Sequence, residues 1–203
     1  MPSWFFQIFH NIYVSPMSRI HWAMFLLPVC WLVLSLLAGL NERTGKLFGL
    51  LCLIATAAAS LVIFYMTVIG RKPGTHEVYL IPFYSLREAQ HQPEFYRQLT
   101  MNVFLFEPLG CAAPFAAEYL LRYGRGKVAA ISTGARQAAK YGFLFCFGFS
   151  ILIEACQGIF GRGRAETDDV IMNLLGALIG IGCYALYGIC FKKRAERRAS
   201  DML

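Results

Sequence analysis

Charge is scarce in this chain. Asp, Glu, Lys and Arg make up only 15% of the 203 residues, 57% are hydrophobic, and the mean hydropathy is +0.51. So little charge, with the apolar residues gathered in long blocks, excludes an ordinary soluble domain. Other absences narrow the chemistry. The seven cysteines include no Cys-x-x-Cys pair. An odd number leaves at least one without an intramolecular partner, and they read as small apolar core residues rather than disulfides or metal ligands. The four histidines are scattered without HxxxH spacing, so no metal and no cofactor is expected. No nucleophile motif, zinc motif or phosphate-cradling glycine loop appears. The N-terminus lacks the basic start and small-residue cleavage site of a secretory signal. No internal repeat and no second domain is visible.

What the chain does have is apolar length. Five runs approach the ~20 residues that cross a hydrocarbon core: 20–40, 47–69, 103–121, 138–160 and 170–191. A span in lipid must satisfy its own backbone hydrogen bonds, so each should be a helix. The expected fold is all-α, a polytopic transmembrane helical bundle of about five spans. Ahead of it, "WFFQIFHNIY" puts Phe5, Ile8, Phe9 and Ile12 on one helical face, which suits an N-terminal helix lying in the membrane interface. The expected organisation is an interfacial segment 1–19, a hairpin 20–70, a membrane domain 71–191 and a basic tail 192–203. Within 71–101, "RKPGTHEVYLIPFYSL" reads as a turn and an extended piece stopped by Pro82, and "EFYRQLTMN" as a surface helix leading into the third span.

The net charge of +7 fits topology better than nucleic acid, which is not an expected partner. Lys and Arg collect on the cytoplasmic side of short loops. With the C-terminus inside, the inner segments hold twelve of the nineteen Lys and Arg residues, including the tail "KKRAERR". That tail suits anionic headgroups, so membrane lipids are expected partners. An odd number of spans then puts the N-terminus outside.

The polar residues inside the apolar runs carry the functional question. The loop after 160 is short, so the fourth and fifth helices are antiparallel neighbours. Glu154 and Gln157 share one helical face, and Asp169 and Asn173 share another. At ~1.5 Å per residue, Glu154 lies about 9 Å below the outer end of its helix and Asn173 about 5 Å below the start of the next. The third span enters from the same side with Asn102 and then Glu107, and Pro108 with Gly110 is expected to bend it. Arg162 and Arg164 lie in the loop above. Charged groups in lipid cost roughly 2.5–3.5 kcal/mol each even on the mild insertion scale, so these must pair or face water. Two readings are open. The residues line a polar cavity, or they are interhelical glue with Asp168 or Asp169 capping the fifth helix and Arg164 neutralising them. Glu118, near the inner end of its helix, reads as interfacial.

Four ordered blocks, "YLIPF" (79–83), "NVFLFEPLG" (102–110), "SILIEACQ" (150–157) and "DDVIMNLLGALIG" (168–180), resemble the successive motifs of the VanZ-like family. The resemblance rests on Asn102, Phe106, Pro108, Leu109 and Gly110, on Glu154 with Gln157, on Asp169 to Asn173, and on Glu166 three residues before Asp169. Glu107 departs from it, standing where an apolar residue is usual, and Arg164 sits one residue closer to the acids than the pattern. The resemblance implies a bacterial inner-membrane protein, from a family whose named member is linked to low-level teicoplanin resistance; the cytoplasmic C-terminus is the expectation from the Lys and Arg distribution.

Three functions compete. In the first, an outward pocket of Asn102, Glu107, Glu154, Gln157, Arg164, Asp169 and Asn173 binds a lipid-linked cell-wall precursor or a lipoglycopeptide and protects the envelope. In the second, Glu154 and Asp169 are the acid–base pair of an intramembrane enzyme acting on a lipid-linked substrate. In the third, the buried acids serve a small transporter or flippase subunit.

Overall fold

The computed structural model describes residues 17–38, 42–74, 76–84, 87, 93–123 and 135–200, with backbone alone for 17–25, 42, 93–97 and 191–200. The interfacial N-terminal helix expected before residue 17, and the 124–134 connection, lie outside the described residues. Five helices dominate: α1 Met17–Ala38, α2 Glu42–Phe64, α3 Pro93–Tyr123, α4 Ala135–Phe160 and α5 Thr167–Ser200. Four of the five are long and apolar enough to cross a membrane; the apolar stretch described in α1 is shorter, Leu26–Ala38. The protein is an all-α membrane bundle.

Burial identifies the middle of that bundle. Within the apolar stretch of α3, 72% of residues are buried inside the protein, against 22% for α2, 28% for α4 and 39% for α5. Lipid-facing helices can expose their apolar residues, but a central helix must pack on all sides. The tightest seam is α3 on α5. A Cβ added at Gly176 would run into the Val103 carbonyl, one at Gly180 into the Glu107 carbonyl, and one at Gly110 into Ala177. Missing side chains let the two backbones touch, which is how helices associate where lipid supplies no hydrophobic drive. The register advances in the same sense on both helices, so α3 and α5 run parallel, with α4 returning between them.

Two expectations are corrected here. The "EFYRQLTMN" segment is no separate surface helix, because α3 runs unbroken from Pro93 to Tyr123 through Pro108 and Pro114. Prolines are tolerated inside membrane helices when neighbours pack against them, and Gly142 of α4 brings its backbone against the Pro114 ring. Gly110 lies in the α5 seam. The extended piece is present as expected: Val78–Tyr79 (β1) pairs in parallel with Ala165–Glu166 (β2). Finally, Cys30 and Cys190 are exposed on the bundle surface and only Cys52, Cys111, Cys146 and Cys183 are core residues, although all seven are free thiols.

Candidate functional site

The α2 helix ends in a π-helical turn, Tyr65–Ile69, and its last carbonyls need partners from elsewhere. Gln157 donates Nε2 to the Thr67 carbonyl at 3.1 Å, and Arg162 donates Nη1 to the carbonyls of Ile69 at 3.2 Å and Arg71 at 2.9 Å. Two residues of the α4 end thus fasten α2. The following segment is laid across the α4–α5 connection by the two-residue sheet, by Gly74 N–H to the Gly161 carbonyl at 2.6 Å, and by His76 Nδ1 to the Gly158 carbonyl at 2.9 Å. Beyond β1, Thr167 donates to the Leu80 carbonyl at 3.2 Å, and Asp168 accepts the Phe83 N–H at 2.5 Å. Asp168 therefore holds the "YLIPF" block, a role not expected for it as a helix cap.

Beneath this cover lies an acid cluster. Glu154, Glu166, Asp168 and Asp169 are all buried, none more than 8% exposed. Glu154 accepts the Glu166 N–H through Oε2 at 2.9 Å. The Asp169 charge acts on Glu154, and both acids feel Arg71. Arg71 lies over Gly163, whose φ of +124° and missing Cβ make room for the guanidinium. Arg164 stands at the edge, 3.6 Å from Glu77 and 3.9 Å from Glu166, with its guanidinium over the Tyr79 ring. The Glu77 carboxylate beside Tyr79 pushes that exposed phenol above its ordinary pKa.

Deeper in, Asn173 donates to Ser150 at 3.0 Å. It meets α4 one turn below Glu154 rather than Glu154 itself. The Asn102 amide lies against Asp169, yet Asn102 Nδ2, Asp169 Oδ1 and Gln157 Oε1 are buried without a hydrogen-bond partner among the described residues. Glu107 is apart from this group. It sits one and a half turns further along α3 beside Cys111 and Cys183, fully buried, and neither of its oxygens has a partner among the described residues.

The structure brings Asn102, Glu154, Gln157, Arg164, Asp169 and Asn173 to one end of the bundle and leaves Glu107 below them. It adds Arg71 and Ser150, of which the spacing within single helices gave no hint, and it places in the cluster Glu166, met before only in the family resemblance, and Asp168, read before as a helix cap. Arg71 follows a span end directly, and a cluster of four acids in want of a cation was the one signal that could have found it. No group of three or more His, Cys, Asp or Glu residues suited to a metal ion occurs among the described residues.

An apolar groove reaches the cluster from the side. It has a volume of about 410 Å³ and is lined by Val78, Leu80, Ile151, Ile159 and Val170, with Glu154 and Glu166 among its neighbours. Walls of this kind suit an alkyl chain.

A family model described as VanZ/LLP1 matches residues 47–188, more than two thirds of the chain. The matched region holds α2 through most of α5 and every residue of the cluster. No curated protein and no solved structure matches the chain.

Proposed function

The chain belongs to the VanZ/LLP1 family, and on that premise we propose that it protects the bacterial cell envelope by holding an amphiphile in the acid cluster and its side groove. The ligand class is a lipid-linked cell-wall precursor or a lipoglycopeptide such as teicoplanin. Its polar head would lie between Glu154, Asp169 and Asn102, with an apolar chain along Val78 and Val170. The observation that carries this reading is the groove, because an apolar channel running beside two buried acids, Glu154 and Glu166, offers an alkyl chain a seat next to polar groups. The unpartnered amide and carboxylate oxygens beside it are groups that a ligand head would satisfy. The location that follows is the bacterial inner membrane, with the cluster facing outward and the C-terminus in the cytoplasm.

Glu154 and Asp169 act on each other electrostatically, which also favours a second reading, an acid–base pair working on the same lipid-linked substrate. Both readings require the two carboxyl groups. Glu154→Gln and Asp169→Asn should each leave a well-folded protein and abolish teicoplanin protection in a host that depends on it. Melting temperature in detergent and drug susceptibility are measured side by side. Loss of protection only in step with loss of folding would reduce the cluster to interhelical glue.

A further inference from the structure

A second cavity lies at the other end of the bundle. Glu118 is sixteen residues beyond Asn102 on α3, ~24 Å along the axis at ~1.5 Å per residue. Around it α1, α2, α3, α4 and α5 enclose about 420 Å³, lined among others by Lys46, Phe115, Glu118, Arg122, Tyr184 and Tyr187. That volume falls within the ~300–1,000 Å³ usual for small-molecule sites.

The lining is donor-rich. Glu118 is its one acid, and both carboxylate oxygens are engaged, one by Arg122 and the other by the Tyr184 hydroxyl at 2.7 Å. A guanidinium has five N–H groups, so Arg122 keeps donors beyond that pair. Lys46 rests its ammonium 4.9 Å above the Tyr123 ring, a contact that holds the charge without using an acceptor. Among the described lining residues, two cations stand against one occupied acid, a net positive balance. Its wall is aromatic, with Phe115 set edge-to-face on Tyr184 at 4.8 Å and on Tyr187 at 5.1 Å. A positive mouth over a rigid aromatic wall fits an anion that carries an apolar body.

We propose that this cavity binds the phosphate of an anionic lipid headgroup, through Lys46 and Arg122. It is a separate site from the acid cluster and does not depend on how that cluster functions.

Native mass spectrometry of the full chain in detergent, titrated with phosphatidylglycerol, phosphatidylcholine or inorganic phosphate, tests it. Phosphatidylglycerol should bind about tenfold more tightly than phosphatidylcholine, which has the same phosphate but brings a choline cation beside Lys46 and Arg122. Excess inorganic phosphate should displace little of it; full displacement would overturn the lipid assignment in favour of free phosphate. Lys46→Gln should weaken phosphatidylglycerol about tenfold, the effect of one charge-assisted hydrogen bond. A Lys192→Gln/Lys193→Gln double variant, which removes more charge from the tail, should not. Equal losses in the two would mean that unspecific attraction explains the binding. Gly188→Leu fills the cavity without touching a charge. A Cβ there meets only Ala135 at 3.6 Å, and leucine favours a helix over glycine, so melting temperature should hold while the lipid is lost. Wild-type affinity in Gly188→Leu overturns the site. Glu154→Gln should leave this lipid binding unchanged, so the two sites fail independently.

Discussion

Glu154 has two jobs that substitution can separate. Its Oε2 accepts the buried Glu166 N–H, and its charge stands among Glu166 and Asp169. A glutamine keeps the acceptor and removes repulsion between neighbouring acids, so Glu154→Gln should melt at or above the wild-type temperature. Alanine also strands the Glu166 N–H, which costs about 1–3 kcal/mol, so Glu154→Ala should melt lower and express less. Equal melting of the two variants would show that the hydrogen bond is immaterial. Much of this cluster was legible in the sequence. Glu154 with Gln157, and Asp169 with Asn173, stand out because an acid or amide inside an apolar run has few explanations and helical spacing tells which residues share a face. Arg71, Glu166 and Ser150 were not legible as partners, because they join the site through contacts between elements. Glu107 misled for the opposite reason: its distance along α3 suited the cluster, but its side chain lies deeper, beside Cys111 and Cys183.

Among the elements, the α3–α5 seam sets the geometry of the site. It fixes the depth at which Asn102 meets Asp169, and it depends on glycines that lack room for a side chain. Gly180→Val should overpack the seam, costing about 1–3 kcal/mol or more, with a lower melting temperature and loss of protection. Gly182 is two residues on, so on nearly the opposite face of α5, and has nothing within 4 Å of an added Cβ. Gly182→Ala should therefore be neutral or raise stability by up to about 1 kcal/mol. Matching effects from the two variants would contradict the seam. The helices themselves were readable from apolar run length, with ends that differ because polar turns extend α3 and α5 beyond the lipid-compatible stretch. The β1–β2 pairing was not readable. Two residues on each side are too few for an alternating pattern, and their partners are more than eighty residues apart.

For the whole molecule, the distribution of Lys and Arg predicts a cytoplasmic tail and an outward acid cluster. In a variant with all seven cysteines replaced, an impermeant thiol reagent applied outside should label a cysteine introduced in 84–95 and spare one in 192–198. The reverse pattern would turn the cluster toward the cytoplasm and remove any direct encounter with an extracellular lipoglycopeptide. Seen at this scale, the bundle has a chamber at each end: a buried acid cluster with an apolar side groove at one, and a basic aromatic cavity at the other. The central claim is that the acid chamber is built to be occupied. A density map of the protein in a bilayer of its host's own lipids tests that most directly. It should show an elongated amphiphile with its head between Glu154 and Asp169, and its chain along Val78, Ile151 and Val170. A map in which Asn102 closes a hydrogen bond onto Asp169, with no ordered molecule between the acids or along the groove, would contradict it.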